Sequence, residues 1–179
     1  MSLYAAFLRG MNIGGRRISN DELRAHFTTM GFDEIATFRA SGNVVFAGKA
    51  QPPDVVKERI ETGLEKLLGY AVPTFVRTAA EVQAIAAATP FDTQQLQRSA
   101  GKLQVVLLGA APSHEAQADT LALAGDTDGL VFDGREVYWL PSGGVLDSPL
   151  DMTSIARVLG QTTIRTKGTV EQIAAKHLA

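Results

Sequence analysis

A chain of 179 residues with 45% apolar and 20% charged side chains has ordinary globular usage and lies far from the polar, highly charged composition of disordered chains. Its net charge of −2 argues against broad electrostatic capture of nucleic acid or an anionic membrane, so any such role must fall to a local patch. Cysteine is absent, which removes disulfide frameworks, thiolate metal sites, iron–sulfur clusters and cysteine nucleophiles and fits a reducing, cytoplasmic setting.

The opening apolar run, Leu3 to Leu8, stops at Arg9-Gly10. It has no basic segment before it and is too short for a signal peptide or a membrane span, so it predicts a strand buried on both faces. Ser19 with Glu22 forms a capping box, and Ile18 with Leu23 a hydrophobic staple, so the first helix starts at Asn20. That helix turns Leu23, Phe27 and Met30 inward and stops at Gly31, with Phe32 placed to touch Phe27. Ile35–Arg39 and Val44–Phe46 are β-rich runs around Ala40-Ser41-Gly42-Asn43, a hairpin turn. A second helix spans Pro53 to Leu68 with Val56, Ile60, Leu64 and Leu67 inward and Gly69 as terminator. Val72–Arg77 reads as an edge strand, because Pro73 cannot donate to a ladder.

The order β-α-β-β-α-β is that of the ferredoxin-like plait. Thr78 with Glu81 then caps a connector helix carrying Val82 and Ile85, followed by a polar stretch from Pro90 to Gly101 that suggests a boundary. From Lys102 the order restarts: strand Leu103–Leu108, a helix capped by Ser113, a hairpin Leu130–Phe132 and Glu136–Leu140, a helix from Thr153 to Leu159, and a closing strand Thr162–Arg165. A last helix is capped by Thr169 with Gln172. The expected fold is therefore α+β, two ferredoxin-like plait subdomains in tandem with a C-terminal helix, divided as residues 1–90 and 102–179. The repetition is read from element order and not from similar residues.

The loop Arg9-Gly10-Met11-Asn12-Ile13-Gly14-Gly15-Arg16-Arg17 holds three arginines, three glycines and no acid, a composition suited to a backbone nest for an anion. Gly10 and Gly15 have phosphate-loop spacing, but Arg16 stands where that motif needs lysine and Arg17 where it needs a hydroxyl, which argues against an ATPase. Plait topology places this loop and the hairpin at one end of the sheet. The candidate ligand-binding set is therefore Arg9, Gly10, Asn12, Gly14, Gly15, Arg16, Arg39, Ser41 and Asn43. Against it stands the plainer reading, in which glycines serve turns, Asn43 caps the hairpin and the arginines are solvated. Arg165, Lys167 and Thr169, leading into the last helix, are a secondary anion spot that also reads as a cap. The segment Pro141–Pro149 reads as a connector.

His114-Glu115 has Ala118 where a zincin needs its second histidine, and His26 and His177 have no ligand pattern. No metal or cofactor is expected, and no nucleophile stands out, which leaves open whether the chain is an enzyme. RNA binding would need exposed sheet aromatics, for which only Tyr4 and Phe46 are obvious candidates.

Leu8-Arg9-Gly10-Met11-Asn12-Ile13-Gly14-Gly15, then Leu23-Arg24, Gly31-Phe32 and Ser41-Gly42-Asn43-Val44-Val45-Phe46 resemble the bacterial family called domain of unknown function 1697, which opens with LLRGINVGG and continues to SGNVVF. The resemblance implies a cytoplasmic protein of paired plait-like subdomains and carries no activity. The chain departs from the family's serine–lysine pair at Ser148-Pro149. It keeps only Arg165 and Thr169 of an Arg-Asn-Trp-x-Thr pattern. The leading expectation is a pocket for a small phosphate- or carboxylate-bearing ligand at the N-terminal loop and hairpin. The competing class is a non-enzymatic interaction module, in which exposed edge strands or the second plait pair with another copy, as in a homodimer, or with another protein, and RNA binding is a lesser alternative.

Overall fold

The first unit runs β1 (Ser2–Leu8), α1 (Asn20–Thr29), β2 (Asp33–Thr37), β3 (Asn43–Gly48), α2 (Pro53–Leu68) and β4 (Thr74–Thr78) in the computed structural model, which describes residues 1–11, 13–39 and 42–179. All neighbouring strands are antiparallel and the sheet order is β2-β3-β1-β4, the plait order. α1 begins where its cap dictates: Ser19 Oγ accepts from Glu22 N at 3.1 Å and Glu22 Oε2 accepts from Ser19 N at 2.7 Å. It ends as a Schellman turn, with Gly31 at φ 79°, Gly31 N donating to Thr28 O and Phe32 N donating to Phe27 O. Side chains alternate along β1. Tyr4, Ala6 and Leu8 join the α1 and α2 residues Leu23, Phe27, Val56, Ile60 and Leu64 in one core. Ala5 and Phe7 point to the opposite face and are buried too. Burial on both faces explains the unbroken apolar run of this strand.

Several boundaries differ from expectation for identifiable reasons. β2 sits at Asp33–Thr37 rather than at Ile35–Arg39, because a register irregularity between Asp33 and Ala36, with Glu34 at φ 47°, lets the strand begin earlier. Pro73 lies just before β4 and not within it. Its carbonyl accepts from Arg9 N at 2.9 Å, while Thr74 N donates to Glu61 Oε1 at 2.9 Å. β4 is nonetheless the sheet's edge strand. Leu67 is 40% exposed. The stripe Val56, Ile60, Leu64 advances by four, so the next inward position is Leu68, which packs on the core.

After α3 (Ala79–Ala87), the stretch read as a polar connector contains a short helix, α4 (Thr93–Arg98), started by a second capping box: Gln95 N to Asp92 Oδ1 at 2.7 Å and Asp92 N to Gln95 Oε1 at 2.9 Å. There follow β5 (Gln104–Leu108), α5 (His114–Ala124), β6 (Gly129–Asp133), β7 (Glu136–Leu140), a 3-10 turn at Val145–Asp147, α6 (Met152–Leu159), β8 (Thr162–Thr166) and α7 (Lys167–His177). This second antiparallel sheet has the order β6-β7-β5-β8, again that of a plait. Its helix-side core gathers Val106, Leu108, Val137, Trp139, Leu150 and Ile155. The compact units are Met1–Ile85 with Gln172–Ala179, and Ala86–Glu171. The closing residues count with the first unit, in which Gln83 Nε2 donates to Leu178 O. No helix among the described residues is long and apolar enough to cross a membrane.

The repetition reaches further than element order. Thr74-Phe75-Val76-Arg77-Thr78 and Thr162-Thr163-Ile164-Arg165-Thr166 occupy the same edge position of their sheets. Val82 and Ile85 in the helix after the first recur as Val170 and Ile173 after the second. Arg77 pairs across the ladder with Ala5, and Arg165 with Val105. Each arginine donates through Nη1 to the carbonyl just before it, at 3.0 Å from Val76 O and 2.8 Å from Ile164 O. Thr78 Oγ1 accepts from Glu81 N at 3.2 Å, and Thr166 Oγ1 from Thr169 N at 3.2 Å. The cap of α7 is therefore Thr166, three residues before the expected Thr169, as the repeat requires.

Candidate functional site

β1 delivers its chain into the arginine-rich loop, and β3 begins beside it. Leu8 N donates to Gly42 O at 2.8 Å. A side chain on Gly42 would place its Cβ 3.0 Å from both Leu8 Cβ and Met11 Cγ, and Gly42 has a left-handed φ of 76°. The hairpin turn and the start of the loop are thus in van der Waals contact, which only glycine permits here. Gly10, Gly14 and Gly15 are also left-handed, at φ 71°, 62° and 79°. Gly14 and Gly15 have open space around the position of a Cβ, so backbone conformation rather than crowding selects glycine there.

Arg9, Arg16 and Arg17 are all exposed. The guanidinium of Arg16 lies 4.1 Å from the ring centroid of Tyr70, a cation–π contact on an otherwise exposed side chain. Arg39 is a non-glycine residue at φ 58°, a conformation that costs about 1 kcal/mol and persists where surroundings impose it. Its Nη2 donates to Gln172 Oε1 at 2.8 Å, and its guanidinium carbon lies 5.4 Å from the Phe38 ring centroid. The start of the loop and the end of the hairpin therefore meet at one end of the sheet, while Arg16 is drawn toward Tyr70 and Arg39 toward Gln172. Asn43 is buried and its Nδ2 donates to Phe38 O at 3.0 Å, closing the hairpin. Asn12 and Ser41 lie outside the described residues.

The second spot is more internally engaged. Arg165 Nη1 donates to Thr163 Oγ1 and Ile164 O, each at 2.8 Å, and burial pulls its guanidinium down to about 10. Lys167 Nζ donates to Ala86 O at 2.8 Å and pairs with Glu171 at 2.5 Å. Thr169 meets Thr166 Oγ1 through its hydroxyl at 2.9 Å. Tyr4 and Phe46 belong to the helix-side core, with ring centroids 5.7 Å apart, and are not surface aromatics.

Sequence reasoning missed Tyr70 and Gln172, and no local signal marks either as an arginine partner. It also missed Asp128. This buried carboxylate accepts from Trp139 Nε1 at 2.9 Å, from Ser142 N at 3.0 Å and from Ser148 Oγ. Ser148 Oγ accepts in turn from Leu150 N at 3.0 Å. The segment Pro141–Pro149 is thus clamped at both ends to one side chain. Burial opposes the charge of Asp128, but the bonds from Ser148, Ser142 and Trp139 outweigh it and hold the carboxyl below its usual range.

The family model described as "Protein of unknown function (DUF1697)" matches residues 1–138. The conserved bacterial protein SP0830 from Streptococcus pneumoniae is similar in structure, with a TM-score of 0.72 and 19% identity over 97% of each chain. At that identity the likeness concerns the fold alone. No curated protein matches the chain.

Proposed function

We propose that this chain, which belongs to the DUF1697 family of proteins of unknown function, binds a small phosphate- or carboxylate-bearing molecule at the β1–α1 loop and the β2–β3 turn. The observation that carries the reading is the pairing of charge with backbone. Between Arg9 and Ser19 there are three exposed guanidiniums and no carboxylate, on a loop with left-handed Gly10, Gly14 and Gly15. Such turns direct successive N–H groups to one side and make anion-binding concavities, and arginine adds a planar, permanently charged fork matched to phosphate and carboxylate oxygens. Gly42, packed on Leu8 and Met11, and the left-handed Arg39 flank the same end of the sheet. Asn12 and Ser41 enter the ligand set by their place in the chain. Arg165, Lys167 and Thr169 rank second because protein groups already engage them.

The test is a thermal-shift panel of inorganic phosphate, nucleotides, sugar phosphates and small carboxylates, run on wild type beside Arg9→Gln, Arg16→Gln. Both side chains are exposed, so the variant should fold. A ligand at about one hundred times its dissociation constant adds about 2.7 kcal/mol, a shift of several degrees for a chain of this size. Stabilisation present in wild type and lost in the variant is the expected result. Equal stabilisation of both proteins, or none from any member, would refute the reading.

A further inference from the structure

Within the second unit a cavity of about 370 Å³ opens between α4 and the Asp128 clamp, a volume within the range of small-molecule sites. Its walls are held in place from several sides. Ser99 Oγ donates to Pro141 O, Ala100 N donates to Ser142 O at 3.2 Å, and the capping box at Asp92 fixes the start of α4. Gly129 has no room for a side chain, since a Cβ there would lie 2.6 Å from Phe91 Cε1. The lining is therefore preorganised by hydrogen bonds and close packing, which limits the ordering cost of binding.

Its chemistry is two-signed. Asp128 and Asp126 contribute carboxylates, Arg98 a guanidinium, and Phe91 and Leu140 apolar surface. The donors that engage Asp128 are all neutral, from Trp139, Ser142 and Ser148, so its negative charge is held but not cancelled. Among the described residues none of Arg98, Asp126 and Asp128 has an ion-pair partner. A purely anionic ligand would meet two carboxylates, and a purely cationic one would leave Arg98 unused.

We propose that this cavity binds a small amphoteric metabolite, an amino-carboxylate whose ammonium faces Asp126 and Asp128 and whose carboxylate faces Arg98, with its apolar part on Phe91 and Leu140. The site is separate from the arginine-rich loop and stands whether or not that loop binds an anion.

The test is an amide-shift titration of the full chain with L-phenylalanine and 6-aminohexanoate, which differ in charge spacing. Each is run beside analogues lacking one charge: phenethylamine or 3-phenylpropionate for the first, hexylamine or hexanoate for the second. The expected result is saturable shifts at Gly129, Ser142 and the Trp139 indole with at least one amino-carboxylate. Affinity should fall about tenfold when either ligand charge is removed or when Arg98→Gln or Asp126→Asn is introduced. Both replaced side chains are exposed, and an otherwise unchanged spectrum will show that the fold is intact. Absence of a saturable shift with either amino-carboxylate, or binding undiminished in both variants, would overturn the proposal.

Discussion

Asp128→Ala is expected to destabilise the second unit by about 3 kcal/mol, because it strands three donors at once. Trp139 is fully buried, so its indole N–H cannot turn to water when the carboxylate is gone. Ser142 N and Ser148 Oγ lose the same acceptor, and with them goes the anchor of residues 141–149. Asp128→Asn keeps one oxygen and should cost less. The effect also depends on pH in a defined direction. The folded-state pKa lies below the ordinary value of 3.8, so the contribution of the ionised carboxylate is fully present above that value and is lost as pH falls through the lower folded-state value. Urea unfolding followed by the fluorescence of Trp139, the one tryptophan in the chain, reads the local environment. The wild-type advantage over Asp128→Ala should be constant near neutrality and shrink below about pH 4. A difference under about 1 kcal/mol at neutral pH would show that water replaces the lost acceptor.

Phe46→Ala should cost about 4 kcal/mol, within the range for deleting a fully buried aromatic. The ring has no exposed surface and meets Phe32 at 4.6 Å, Phe27 at 5.3 Å and Tyr4 at 5.7 Å between centroids. It thereby joins β3, β1, α1 and the residue just before β2 in the core above the sheet. Removing it leaves a cavity bounded by three other rings, whose stacked and tilted contacts contribute beyond buried area. Phe46→Leu refills most of that volume and should cost less than half as much. Far-UV circular dichroism during chemical unfolding would measure both, and a loss below about 2 kcal/mol for the alanine variant would mean that the cluster collapses to fill the space.

Where structure follows from local chemistry, the sequence was informative. Ser19 and Glu22, Gly31, Pro53 and Gly69 mark helix ends by caps and left-handed stops, and α1 and α2 begin where those residues place them. The unbroken apolar runs in β1 and β5 reflect sheets buried on both faces. Other features depend on partners far along the chain. α4 carries no buried residue, so it leaves no apolar stripe, and only its Asp92–Gln95 box announces it. The loop after β7 resembles a connector until Asp128 is seen holding it. The shared Thr-x-x-Arg-Thr signature of β4 and β8 was present in the letters, but the intervening residues differ enough to hide it until topology aligns the two edge strands. For the candidate site, the meeting of loop and hairpin was legible from strand order. The turning of Arg16 onto Tyr70 and of Arg39 onto Gln172 was not, because neither partner lies near its arginine in sequence.

The most direct measurement is an amide-shift titration of the full chain with inorganic phosphate, read at Gly10, Gly14 and Gly15 in wild type and in Arg9→Gln, Arg16→Gln. An anion held by the loop predicts saturable shifts at these glycines in wild type and their loss in the variant, while the rest of the spectrum is unchanged. Unmoved glycine amides, or shifts confined to Lys167–Thr169 and insensitive to the two arginines, would contradict the N-terminal loop as the anion site.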